Sequence, residues 1–141
     1  MTLIVDAGAL FAQANAADPD HEAVTNCLKA ETGPLVTSEL AAAEADYLIL
    51  DRLGVDVELQ FLTDLAEGTF TLECLTQTDL SVARDVVGRH RSLRLGLADA
   101  SLVVLARRHH TRRILTFDHR APFRTVAPLQ GGRFTILPSD A

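Results

Sequence analysis

The chain has little of what marks several protein classes. It holds two cysteines, Cys27 and Cys74, each alone in an apolar pattern, with no C-x-x-C and no Cys/His spacing suited to zinc. Both thiols are therefore expected to be buried. No apolar run approaches the roughly 18 residues that a membrane-crossing helix needs, and no basic segment precedes an apolar one at the N-terminus. The expectation is a cytoplasmic protein without membrane contact. Aromatic residues make up 5% of the chain, too few for a ladder on which single-stranded bases would stack. Internal repeats, low-complexity segments and linker-like stretches are absent as well.

What is present is material for one core. With 141 residues and 48% hydrophobic content, residues 1–141 read as a single domain. The net charge of −6 hides an asymmetry: residues 1–80 contain 2 Lys+Arg against 15 Asp+Glu, whereas residues 81–141 contain 11 against 4. An acidic total argues against loose, sequence-blind binding of nucleic acid, while the cationic half leaves room for a phosphate-bearing substrate. Two solvated faces of opposite sign are the plainer alternative.

The chain alternates short strand-like runs with helical patterns. Residues 2–5 form an apolar strand-like run ending at Asp6, and residues 7–16 favour helix, so Asp6 is either a cap or something more. Asp18 and Pro19 look like the N-cap and first residue of a helix whose inner side carries Val24, Cys27 and Leu28. Leu35 to Thr37 is a second strand, and Ser38 should cap a helix running to Leu53. Within it, Glu39 in the first turn is explained by the helix dipole, whereas Glu44 and Asp46 fall among apolar neighbours, where an unpaired charge is costly. Gly54 breaks the chain, Asp56 should cap a helix buried through Leu59, Leu62, Leu65 and Ala66, and Phe70, Leu72 and Cys74 alternate as a half-buried strand. A helix from Thr78 or Asp79 turns Val82, Ala83, Val86 and Val87 inward. The next helix, residues 97–110, has an apolar stripe at Leu102, Val103 and Ala106, which puts Asp99 at its start facing inward. Ile114 to Phe117 is a buried strand followed at once by Asp118, and Phe134 to Leu137 is the last strand after Gly131 and Gly132.

Helices alternating with buried strands predict an α/β fold, a doubly wound parallel sheet, in which ligands collect outside the carboxyl ends of the strands. Asp6 and Asp118 follow strands directly, and Asp99 and Glu44 sit on helices that feed the same edge. Several carboxylates close together repel one another unless something neutralises them. Ligation by oxygen alone favours Mg²⁺ or Mn²⁺ over zinc, and such an ion suits phosphodiester hydrolysis. A phosphoacceptor receiver domain also gathers aspartates but needs a late lysine, and the single lysine here is Lys29. Phosphatases of the haloacid-dehalogenase type use D-x-D, and here Gly8 holds the third place.

Four segments, L-I-V-D-A-G-A-L, S-E-L-A-A-A-E-A-D-Y-L, G-L-A-D-A and I-L-T-F-D-H-R-A-P-F, occur in the order and spacing of a PIN-domain ribonuclease. Over nearly its whole length the chain resembles the VapC toxins of bacterial toxin–antitoxin pairs. That resemblance implies metal and catalytic roles for Asp6, Glu44, Asp99 and Asp118, and it selects Glu44 over Glu39 and Asp46 through an L-x-x-x-E pattern. It further implies an RNA substrate such as structured tRNA or ribosomal RNA, a homodimer, and a cognate VapB-type antitoxin whose C-terminal part covers the site. Many members have Ser or Thr just after the first aspartate, where this chain has Ala7 and Gly8. A PIN-like module that only binds a partner is the alternative, and metal-dependent cleavage of RNA separates the two.

Arg107, Arg108, Arg112 and Arg113 gather at the far end of the helix that begins with Asp99, about 15 to 20 Å from it at 1.5 Å per residue. His119, Arg120 and Arg124 follow Asp118 more closely and are the candidates for contact with RNA phosphates.

Overall fold

The computed structural model describes residues 1–117, 122–126 and 132–140. Its centre is a parallel sheet of β1 (Leu3–Val5), β2 (Leu35–Ser38), β3 (Thr71–Glu73), β4 (Arg113–Leu115) and β5 (Thr135–Leu137), in the order β3-β2-β1-β4-β5. Ile4 lies in register with Val36 on one side and Ile114 on the other. Successive residues of a strand face opposite ways, yet Leu3, Ile4 and Val5 are all fully buried, so both faces of β1 are covered. From β1 the chain winds outward through β2 to β3, then returns to β4 on the other side of β1. The carboxyl end of β1 is thus the point where strand order reverses, and Asp6 stands directly after it.

Local chemistry sets the helices. Asp6 caps α1 (Ala7–Ala14) by accepting the Ala9 N–H at 2.8 Å. Ser38 caps α3 (Glu39–Leu53) through the Ala41 N–H at 2.9 Å, and its hydroxyl lies 2.7 Å from that of Ser101 on α6 (Leu97–Arg108). That contact pins the starts of α3 and α6 together. In α6, Ala100 to Ala106 are all buried, a wider band than the expected stripe, because the helix lies beneath both the sheet and its neighbours. α5 (Gln77–Arg89) opens with a reciprocal capping box between Thr76 and Asp79 and turns Val82, Ala83 and Val87 onto Ala100 and Val104.

Four details depart from sequence expectation. α2 (His21–Ala30) begins two residues after Pro19, because the Asp18 carboxylate accepts the Asp20 N–H at 2.8 Å and makes a turn before the helix starts. α4 (Val55–Ala66) follows Gly54, whose φ of 94° suits glycine, and Asp56 lies inside its first turn instead of capping it. This helix buries Phe61, with Val57 and Leu65 partly buried, and leaves Leu59 56% and Leu62 42% exposed. Two apolar stripes competed there, and the one carrying the phenyl ring buries more area. Finally, β3 is an edge strand, so Phe70 is buried while Leu72 and Cys74 are exposed; Cys27 is only partly buried. No helix among the described residues is long and apolar enough to cross a membrane.

Candidate active site

A cavity of about 360 Å³ opens beside the carboxyl end of β1, between α1 and α3. Asp6, Glu44 and Asp99, contributed by three separate elements, line it together. Phe117, the residue before Asp118, lines it too. Asp118, His119 and Arg120 lie outside the described residues.

Asp6 is 5% exposed and both its oxygens are engaged. One accepts the Ala9 N–H that caps α1, and the other accepts the Thr116 hydroxyl. Capping and a place on the cavity lining therefore coincide, since the bond that starts the helix also fixes the carboxylate. The hydroxyl absent from positions 7 and 8 arrives instead from beyond the end of β4, on the strand next to β1. Its link to Asp6 is visible only once those strands are paired.

Glu44 was expected on an apolar face, and here it is exposed. Tyr47 is 68% exposed and Leu48 only partly buried, so this side of α3 is the rim of the cavity. Glu39 does not line the cavity; it meets Cys74, whose thiol it pushes above the ordinary value first by hydrogen bonding. Asp46 also lies elsewhere, with one oxygen buried and without a partner, and a hydrogen bond to it is the first cause of the raised Glu58 carboxyl on α4. Asp99 stands in the first turn of α6, partly buried, where the positive end of the helix favours an anion.

The cavity brings in three charged residues that local pattern missed: Asp18, Asp20 and Arg52. The two aspartates carried the signal of a helix start, and Arg52 that of a helix end, so nothing linear distinguished them. Of the downstream candidates, Arg124 grips Asp140 with two hydrogen bonds of 2.9 and 3.0 Å and holds that carboxyl below its usual range. The basic cluster at the end of α6 is outside the cavity: Arg108 binds Glu73 and Asp79 beside β3, and Arg113 binds Glu31 at 2.6 Å.

Among the described residues that line the cavity the metal-binding donors are carboxylate oxygens, with no histidine or thiol, and such donors fit a hard divalent cation. Among the described residues, no group of three or more His, Cys, Asp or Glu side chains stands close enough to hold a metal by itself.

The PIN domain family model matches residues 3–128. This chain belongs to the PIN domain family. It is 43% identical over 136 residues to Ribonuclease VapC26 of Mycobacterium tuberculosis (strain ATCC 25618 / H37Rv), covering 96% of this chain and 100% of that one. Two solved structures share the fold. The crystal structure of VapC20 of Mycobacterium tuberculosis, described as a sarcin–ricin loop cleaving toxin, aligns with a TM-score of 0.77 at 19% identity, over 82% of this chain and 89% of that one. A toxin–antitoxin complex from Klebsiella pneumoniae aligns with a TM-score of 0.63 at 16% identity, over 92% and 96%. The parallel sheet described above is thus a PIN-domain sheet, and the PIN chain is a homologue of VapC ribonucleases.

Proposed function

We propose that this PIN domain is an endoribonuclease toxin that hydrolyses phosphodiester bonds with the help of Mg²⁺ or Mn²⁺ held by Asp6, Glu44, Asp99 and Asp118. The observation that carries this reading is the convergence of Asp6, Glu44 and Asp99 on one cavity from three elements. A bound divalent ion supplies Lewis-acid polarisation of the phosphate and a more acidic water. The protein's own part is positional. Asp6 is held at both oxygens, by Ala9 and Thr116, so its carboxylate enters the site already oriented. Glu44 at the solvent rim is suited to orient a water entering from outside.

The substrate class proposed is structured ribosomal or transfer RNA. The description of VapC20 as cleaving the sarcin–ricin loop makes a hairpin of that loop the first substrate to try. A cognate antitoxin is the proposed inhibitor, a basic segment entering a cavity lined by Asp6, Asp18, Asp20, Glu44 and Asp99; the toxin–antitoxin complex among the structural relatives supports such a partner. Self-association as a homodimer is proposed too, supported by the exposed apolar side chains Tyr47, Leu50, Val55, Leu59 and Leu62 on α3 and α4.

The deciding experiment is cleavage of purified ribosomal and transfer RNA with Mg²⁺, with Mn²⁺ and in excess EDTA. Cleavage should require the ion and leave a 5′-phosphate and a 3′-hydroxyl. Full activity in EDTA with 2′,3′-cyclic phosphate ends would sink the mechanism, because attack by the 2′-hydroxyl needs no ion.

A further inference from the structure

The first 80 residues contain two cations, Lys29 and Arg52, and Arg52 lines the acidic cavity. Five carboxylates line the same space, yet none of the described acids lies within ion-pair distance of its guanidinium. Its neighbour is aromatic instead: the Arg52 Cζ lies 5.7 Å from the centroid of the Phe11 ring, which also lines the cavity. A guanidinium lying against a ring keeps its N–H edge for another acceptor, while a bidentate carboxylate would have consumed it.

The cavity has an electrostatic problem that this cation answers. RNA is a polyanion, and a surface lined by carboxylates repels its backbone everywhere except where positive charge intervenes. Glu44, Leu48 and Arg52 form one stripe of α3 at successive intervals of four residues, and all three line the cavity. The stripe separates Arg52 from Glu44 by about 12 Å along the helix at 1.5 Å per residue. Arg52 thus stands about two turns beyond Glu44 on the same cavity wall, to one side of the carboxylates.

We propose that Arg52, set against Phe11, binds an RNA phosphate adjacent to the scissile one, and so holds the strand across the carboxylate site. This rests on the ribonuclease reading, but it assigns a residue and a subsite that the reading does not need. Arg52 acts in binding and does not touch the reacting atoms.

The test uses two measurements. In the first, Arg52→Gln, Arg52→Lys and Phe11→Leu are assayed against whichever purified ribosomal or transfer RNA the wild-type chain cuts. Arg52→Gln should raise KM about tenfold, the loss of one charge-assisted contact, with kcat within about twofold. Arg52→Lys should fall between, since it keeps the charge and loses the fork. In the second, binding of a synthetic sarcin–ricin hairpin is followed by fluorescence anisotropy across salt, in an Asp99→Asn background that does not cut. There, Arg52→Gln should lower the slope of log K against log salt by about 0.7 to 1. Thermal midpoints are measured alongside and should not move.

An unchanged KM together with an unchanged salt slope overturns the proposal. So does a fall in kcat at constant KM, which would put Arg52 at the reacting phosphate. A lowered midpoint with a normal salt slope would make the Phe11 contact merely structural and overturn it as well. Failure of the wild type to cut any RNA removes the parent reading, and the salt slope still decides whether Arg52 meets phosphate.

Discussion

The two edges of the sheet handle charge in opposite ways. At the carboxyl edge, Asp6, Asp18, Asp20, Glu44 and Asp99 gather around one cavity with, among the described residues, one cation, Arg52, on its lining. At the amino edge, Arg113 opens β4 and meets Glu31 at 2.6 Å, with the Glu31 side chain 7% exposed, and the Thr111 hydroxyl ties down the Thr2 carbonyl at 2.7 Å. Like charges brought together oppose folding, whereas removing one partner of a well-bonded, part-buried opposite pair costs stability. On the proposed reading, the comparison assigns activity and stability to different edges. Substitutions should separate them.

The largest effect is expected at Glu44. Glu44→Gln keeps the shape and removes a charge that the proposed cation would need, so RNA cleavage should fall on the order of 10³-fold, equivalent to several kcal/mol of lost transition-state stabilisation. Its thermal midpoint should hold or rise, since one of the gathered negative charges is gone. A variant that loses its midpoint along with activity would place Glu44 in the structural class and blur the contrast.

Thr116→Val comes next. It deletes the hydroxyl that donates to Asp6 while keeping the branched shape, and loss of such an orienting partner costs about 10 to 100-fold in activity or metal affinity. Calorimetric titration with Mn²⁺ would check it. Undiminished affinity would mean that Asp6 is oriented without the Thr116 hydroxyl.

At the other edge, Glu31→Gln should leave cleavage intact and lower stability by roughly 1 to 3 kcal/mol at neutral pH, the loss expected on breaking a part-buried pair, discounted for the exposure of Arg113. The hydrogen bond from Arg113 is the first cause that holds the Glu31 carboxyl below its ordinary value of 4.5. A depressed carboxyl contributes its stability above that ordinary value and loses it as pH falls through the lower folded one. The gap between wild type and variant should therefore close under acid, as urea melts at several pH values would reveal. A gap that widens as pH falls would reverse the assignment.

The smallest effect belongs to Glu39. Glu39→Gln should forfeit a helix-dipole interaction of roughly 0.3 to 1 kcal/mol with cleavage largely retained. If this variant is dead and Glu44→Gln active, the site must be redrawn around the first turn of α3.

The order of elements was open to sequence reading because each rests on contacts within a few residues. Asp6 and Ser38 bond to N–H groups three positions ahead, so their caps can be read from residue type and the run that follows. Buried parallel strands such as Leu3–Val5 announce themselves as unbroken apolar runs, because both their faces are covered. The acids could be singled out on similar grounds, by standing at strand ends or among apolar neighbours. Glu44, however, proved exposed, because periodicity along α3 cannot reveal which neighbours turn toward water.

Tertiary structure alone decided the rest. Which stripe of α4 faces inward depended on the space for Phe61, a property of the neighbours of that helix. The hydroxyl on Asp6 comes from Thr116, 110 residues away, because β4 pairs with β1. Asp18, Asp20 and Arg52 reach the cavity because α1 and α3 flank it, a packing that carries no local signature. Sequence by itself determined the caps at Asp6 and Ser38, the strands and the acids worth watching, since those follow from interactions along the backbone. The meeting of Asp6, Glu44 and Asp99 at one edge, with Arg52 beside them, was decided by strand order and helix packing, which join residues that the chain keeps far apart.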